Sequence, residues 1–314
     1  MKEKEISFPA SNGEHDIRAL IWSPDRASDV KAVYQLSHGM CEYSERYREF
    51  GEYLTKNGFV VAINDHAGHG KSVKDAFGYF GKGGCFSMVE DMRKLYVLMK
   101  QDHPRSAHFL LGHSMGSFLA RMYAAKHGAD LDGAVFSGTG SAPAILPIGY
   151  AISRLLVKTN GAKAPGAFLH RLSAGSYNKR FAPIRTESDW LSRDNELVDL
   201  FISDERSRFF FTNSGYRDMF RIFLEISRPQ WAKSLPKTLP ILLFSGSEDP
   251  VGGYGSGVFK VFRSLADAGV SDVEMKLYGQ GRHEMLNEIN RAEVYEDVLN
   301  WTDARIKRKK NAPQ

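Results

Sequence analysis

The stretch "LLGHSMGS" (Leu110–Ser117) sets one serine, Ser114, between Gly112 and Gly116. The residues leading to it, "HFLLGH", read as a buried strand, and those after it, "MGSFLARMYAAKHG", carry helical periodicity. A serine on a sharp strand-to-helix turn projects its hydroxyl above the end of a sheet. The flanking glycines give the clearance that the turn and the helix packing need. The same pattern also fits a plain tight turn. The reading therefore depends on what the rest of the chain brings to that end of the sheet.

Outward from this turn, strands and helices alternate. Ile6–Ser11 and His15–Ser23 read as a hairpin around Asn12-Gly13. "KAVYQLSHG" reads as a buried strand ending at Gly39, and "SERYREFGEYLTKNG" as a helix stopped by Gly58. "FVVAIND" is the next strand. "FSMVEDMRKLYVLMKQDH" is a long helix, with Ser87 as its cap and Glu90 three residues on. "DGAVFSG" is a strand. From Ser141 to about Leu239 no strand is legible, only helical pieces and many aromatics, Trp190, Phe209, Phe210 and Phe211 among them. The rhythm resumes with "PILLFSGSEDP", a helix near "GVFKVFRSLADAG", the strand "DVEMKLYG" and a last helix from Arg291 toward Ile306. Alternating βα units imply a mostly parallel sheet with helices on both faces. The expected layout is an α/β core from residues 1–140 and 240–314, with residues 141–239 as a largely helical cap.

Composition fits this plan. Of 314 residues, 42% are hydrophobic and 25% charged, which is ordinary for a globular chain with a sizeable core. "MKEKEISF" has no apolar signal-peptide region, and no run approaches the roughly 18 apolar residues of a membrane span. The longest apolar stretch, Ala142–Val157, is interrupted by Pro147, Gly149 and Arg154. A soluble, cytoplasmic protein is expected. Two cysteines, Cys41 and Cys85, do not make a disulfide framework and read as thiols. Net charge is +5, much of it in "RIKRKK", Arg305–Lys310. A basic tail can touch an anionic surface, although a solvated helix end is the simpler reading. No basic patch interleaved with aromatics suggests nucleic acid.

In open α/β sheets, ligands bind outside the carboxyl ends of the strands. Three polar residues fall just past three such ends: Ser114, Asp249 in "SEDP", and His283 in "YGQGRHEML". A serine hydroxyl needs a base within reach, and the base needs an orienting acid. His283 is the base and Asp249 the acid, with Glu248 as its rival. His113, beside the serine, is placed to pack the turn rather than to take its proton. An oxyanion needs two N–H donors. Met115, after the serine, supplies one. Met40, in the loop "SHGMCEYSERY", supplies the other, with Gly39 allowing close approach and His38 bracing the loop.

Other signals fall away. "DHAGHGKS" ends like a phosphate-binding loop, but Asp65 stands where that motif needs its first glycine. His66 and His69 lack a third metal ligand nearby. "HEMLN" is not a zinc motif, since Asn287 replaces the second histidine. No Gly-x-Gly-x-x-Gly follows the first parallel strand. No cofactor and no metal are expected.

"LSHGMCEYSERY", "NDHAGHGKS", "GHSMG", "GSEDPVG" and "RHEMLNE" together resemble the monoacylglycerol lipase and lysophospholipase-like branch of the α/β-hydrolase superfamily, which shares its architecture with the serine aminopeptidases. "RTESDWLSRD" resembles bacterial members. The resemblance implies an eight-stranded, mostly parallel sheet with a helical cap, and a triad of Ser114, Asp249 and His283. It implies Glu42 and Arg46 as contacts to a glycerol head group. Cys41 and Tyr43 depart from the residues frequent in the branch at their places. The implied activity is carboxylic-ester hydrolysis through an acyl-enzyme on monoacylglycerols or lysophospholipids. Alternatives on the same fold are an aminopeptidase or amidase, an acyltransferase and a perhydrolase. A reading of another class is a ligand-binding sensor without catalysis. The expected partner is a small ester or lipid, with transient membrane contact through the cap or the basic tail. Oligomeric state is left open.

Overall fold

The apolar strand runs pair into one sheet. The structure, a computed structural model, describes residues 1–26 and 30–311. Its strands are β1 (Lys2–Pro9), β2 (Asp16–Ser23), β3 (Ala32–Ser37), β4 (Phe59–Asn64), β5 (Ala107–His113), β6 (Gly133–Ser137), β7 (Ile241–Gly246) and β8 (Val273–Tyr278). They lie in the order β1-β2-β4-β3-β5-β6-β7-β8. The β1–β2 and β2–β4 pairs are antiparallel and all others parallel. Every residue of β3, β4, β6 and β7 is buried, as a sheet covered on both faces requires.

Successive side chains of a strand point to opposite faces. Leu110 of β5 joins one core with α2 (Cys85–Asp102), α3 (Met115–His127) and α9 (Ser256–Asp267). Phe109 and Leu111 join another with α1 (Arg48–Lys56) and α10 (Arg291–Asn311). Between β6 and β7 the chain forms α4 (Leu146–Asn160), α5 (Ala167–Ala174), α6 (Asn195–Ser203), α7 (Asn213–Ile226) and α8 (Pro229–Ser234), and adds no strand to the sheet.

Several local expectations shift. The Asn12-Gly13 turn joins β1 and β2 as read, but β1 starts at Lys2, because pairing with β2 continues beyond the apolar residues. Helix α2 starts at Cys85 after Gly84, whose φ of +55° ends the preceding loop. Ser87 therefore lies inside the first turn, and its buried hydroxyl does not cap the helix and has no partner among the described residues. "SERY" forms a 3-10 turn before α1, with Ser44 N–H held by the buried Asp65 carboxylate at 2.8 Å. Pro147 sits in the first turn of α4, where a missing N–H costs nothing, so it starts that helix and does not break it. Both cysteines are free and buried. In the basic tail, Arg305 and Arg308 pair with Asp272, and Lys309 with Asp132; the side chain of Lys310 lies outside the described residues.

Two close approaches fix the parts around Ser114. A Cβ on Gly116 would lie 2.0 Å from the Ser37 carbonyl oxygen, so only glycine lets α3 rest on the end of β3. Arg121, one turn along α3, is fully buried with no carboxylate partner among the described residues. It donates to the Gly140 carbonyl at 2.8 Å and the Ile226 carbonyl at 2.7 Å, and stacks on Trp231 with its Cζ 4.1 Å from the ring centre. Burial lowers its pKa to about 9. One cation thus binds the chain where it leaves β6 and where α7 ends. Gly116→Ala is expected to lower unfolding stability by about 1–3 kcal/mol through backbone overpacking. Urea unfolding checks this, and an unchanged midpoint would contradict the close approach.

Candidate active site

Ser114 occupies the turn between β5 and α3 with φ +52° and ψ −121°. A non-glycine residue there is strained, and the surroundings hold it in place. Its N–H donates to Ser137 O at 2.9 Å, and its own carbonyl accepts from Ser117 N–H at 2.8 Å and Ser117 Oγ at 2.6 Å. The side chain faces a cavity of about 1000 Å³, whose wall also carries His283, Met40, Met115 and Glu42.

The loops after β7 and β8 bring Asp249 and His283 together. Asp249 Oδ1 meets His283 Nδ1 at 2.9 Å, both side chains fully buried. Asp249, not Glu248, is the carboxylate at the imidazole. Its Oδ2 accepts from Ser245 Oγ at 2.6 Å and its Oδ1 from Val251 N–H at 2.8 Å. Burial pushes the Asp249 carboxyl up, but His283 and these donors outweigh it and hold it below its ordinary value. Burial likewise pushes His283 down, and the Asp249 charge, with Glu284 and Glu42, brings it above the ordinary imidazole value. Ser114 Oγ donates no hydrogen bond to His283 in this structure. His113 is buried beside its neighbour, Nδ1 against Ser137 Oγ at 3.2 Å, and burial pushes it down to about 3.

The loop after β3 approaches the serine closely. A Cβ on Gly39 would fall 3.1 Å from Ser114 Cβ. His38 Nε2 accepts from His66 N–H at 2.9 Å, which leaves the ring proton on Nδ1, 2.9 Å from Gly39 O. That bond fixes the peptide plane whose other end is the Met40 N–H. Cys41 follows in the left-handed region, with φ +57°. Among the described residues neither Met40 N–H nor Met115 N–H finds an acceptor, and both residues line the cavity. His38, His66 and His69 pack with ring centres 4.3 and 5.1 Å from His38. Burial lowers His38 to about 4 and His69 to about 3, so the cluster is neutral.

Glu42 lines the cavity, whereas Arg46 sits behind it. Glu42 accepts from Gly39 N–H, from Tyr47 OH at 2.9 Å and from Arg46 at 2.8 Å. Arg46 also grips Glu284 with two bonds, 3.0 and 2.8 Å. Sequence reading passed over Glu284 and Ser245, and it counted Trp190 among the aromatics without placing it at His283. Trp190 packs its ring 5.0 Å from His283, and its carbonyl accepts the His283 N–H at 3.4 Å. Glu284 stands next to His283, yet its partner Arg46 is 238 positions away, and no local pattern links them.

The sequence model described as "Serine aminopeptidase, S33" matches residues 28–290. The chain belongs to the serine aminopeptidase S33 family. A monoacylglycerol lipase of Mycolicibacterium smegmatis is 30% identical over 90% of each chain. The human monoglyceride lipase is 30% identical, over 90% of this chain and 86% of its own. A thermostable carboxyl esterase from Bacillus coagulans, solved in complex with glycerol, superposes with a TM-score of 0.91 at 31% identity, covering 98% of this chain and 99% of that one. The S33 chain is thus an α/β-hydrolase, an enzyme of the carboxylesterase and lipase type. No helix among its described residues is long and apolar enough to cross a membrane.

The Asp249–His283 pair gives this S33 protein a pH signature. Asp249, held low, adds stability above the ordinary carboxylate pKa that is lost as pH falls through its folded value. His283, held high, adds stability below the ordinary imidazole pKa that is lost as pH rises through its folded value. The pair's contribution is then largest between about pH 4 and 6.5. Unfolding free energies of wild type and Asp249→Asn should differ most in that window. A difference independent of pH would contradict the pairing.

Proposed function

We propose that the protein is a serine hydrolase of carboxylic esters, monoacylglycerols foremost, with Ser114 as nucleophile, His283 as base and Asp249 as orienting acid. The observation that carries this is Ser114, in a left-handed turn, facing a cavity it shares with a His283 already bonded to a buried Asp249. His283 Nε2 takes the hydroxyl proton as Ser114 Oγ bonds to the ester carbon. The carbonyl oxygen becomes an oxyanion held by the Met40 and Met115 N–H groups. His283 then gives its proton to the leaving alcohol as the C–O bond breaks. Water, deprotonated by the same imidazole, attacks the acyl-enzyme, and Ser114 recovers its proton from His283.

The cavity wall favours a neutral head group. Of the wall's charged residues, Glu42 belongs to the loop that approaches Ser114 and Glu284 follows His283, whereas Arg185, Glu187 and Arg208 come from residues 141–239 and Lys260 from α9, so beside the serine a glycerol hydroxyl finds an acceptor where a phosphate meets like charge. The glycerol found with the similar esterase supports this choice over lysophospholipids. Arg46 then serves by holding Glu42 and does not touch the head group. Residues 141–239 act as the cap, supplying most of the apolar wall, including Leu146, Phe201, Phe209 and Phe223. A fluorophosphonate probe should label wild type and not Ser114→Ala. Wild type should also cleave monooleoylglycerol at least about tenfold faster than lysophosphatidylcholine or an aminoacyl arylamide, since a like charge costs about one pKa unit of interaction or more. An unlabelled wild type defeats the nucleophile, and the reverse substrate order defeats the head-group reading.

The cap also presents apolar residues outward. Ile148 and Leu155 on α4 and Phe168 and Leu172 on α5 are exposed, and Leu172 reaches the cavity wall. We propose that this rim meets the lipid surface that supplies substrate. Replacing Ile148, Leu155 and Phe168 with serine should weaken partitioning onto phosphatidylcholine vesicles while leaving hydrolysis of a short soluble ester intact. Unchanged partitioning would sink this role.

A further inference from the structure

A buried ionic set joins the two loops that the reaction uses. Glu42 holds the Gly39 N–H beside the Met40 donor, and Glu284 directly follows His283. Arg46 lies between them, bonded to Glu42 at 2.8 Å and to both oxygens of Glu284 at 3.0 and 2.8 Å. Asn287 Nδ2 donates to Glu284 Oε2 at 2.9 Å, and the Glu284 N–H donates to Leu191 O at 2.7 Å. The side chains of Glu42, Arg46 and Glu284 are only 3%, 12% and 6% exposed, so solvent screens them little. One cation between two carboxylates leaves a surplus negative charge when both are ionised. An ordinary buried salt bridge would be neutral, and a surplus charge costs stability unless something nearby becomes positive.

The group that becomes positive is the imidazole of His283. We propose that Glu284 is a positioning residue for the hydrolysis: through Arg46 it ties the His283 loop to the oxyanion loop, and its charge joins that of Asp249 in favouring the imidazolium. This rests on the reading of Ser114, His283 and Asp249 as the catalytic triad. The groups facing His283 agree with it. Asp249 comes from the loop after β7, and Glu42 and Arg46 come from the loop after β3. His113, at the end of β5, is neutral, its ring centre 4.8 Å away. From the cap, Trp190 packs on the imidazole and Tyr177, a phenol pushed up by burial, sits near Asp249. Burial pushes Glu284 up, but Arg46 overrides it and holds the carboxyl below its ordinary value, so this charge is present throughout the working range. Burial raises Glu42 above its ordinary value, with Arg46 opposing and Glu284 reinforcing, so of the two carboxylates Glu42 is the one that ionises last.

The test is the pH profile of Glu284→Gln, which keeps the shape and removes the charge. Activity rises with pH as His283 loses its proton. Without the Glu284 charge the imidazolium is less favoured, so the acid limb of kcat/KM should move down by about half a pH unit or more. The plateau kcat should fall about tenfold, with KM changed less than about twofold, as expected when an interaction made mainly in the transition state is lost. The variant should still be labelled by fluorophosphonate, more slowly than wild type. An acid limb at the wild-type position, whatever happens to thermal stability, would overturn the proposal. If Glu284→Gln does not fold, Arg46→Lys answers instead. It keeps the cation and loses the two-pronged grip, and kcat should fall about fivefold at unchanged KM; an unaltered kcat would overturn the tie. A wild type that neither labels nor hydrolyses esters would defeat the triad reading itself, a result distinct from either variant outcome.

Discussion

The constraint on which everything else depends is the backbone of Ser114. Its left-handed conformation lifts the side chain off the sheet, and this is possible only because neighbouring backbone closes around it. Gly116 lets α3 rest against β3, and Gly39 lets the next loop come within contact of the serine. Parallel pairing of β3, β5, β6 and β7 then places the loops that follow them at the same end of the sheet. The position of Asp249, and with β8 that of His283, follows from this one alignment.

Around that point the protein separates charged from neutral groups by burial and partner. The histidines under the loop after β3 stay neutral because burial outweighs the one favourable charge, that of Asp65 on His69, and this preserves the His38 acceptor for His66 N–H and the His38 donor for Gly39 O. His283 is as deeply buried, but it has Asp249, and so its pKa moves the opposite way. Arg121 shows the same logic with no carboxylate partner among the described residues: carbonyl oxygens and an indole face hold a buried cation at the root of the helical segment that helps line the Ser114 cavity.

Much of this was legible in the sequence, for identifiable reasons. The central strands β3 to β7 were readable because their buried residues form nearly continuous apolar runs, and the exposed β1 because the Asn12-Gly13 turn sets it against β2. Ser114, Asp249 and His283 could be singled out because each follows its own strand. What resisted reading was set by contacts between distant residues. The start of α2 depends on the φ of Gly84, so Ser87 looked like a cap and is not one. Arg46 read as a head-group contact through family likeness, and its engagement by Glu284 needs two loops 238 residues apart. The aromatics of residues 141–239 gave composition without direction, and only the fold separates cavity-wall Phe209 and Phe223 from outward-facing Phe168.

The central claim is that Ser114 carries the acyl group between the two halves of the reaction. It is tested most directly by quenching the enzyme in acid during turnover of a slowly deacylating ester and mapping the modified peptide by mass spectrometry. The account predicts one acyl group, on Ser114 within "LLGHSMGS". An acyl group on another residue, or turnover with no covalent species under conditions where deacylation is rate-limiting, would contradict it.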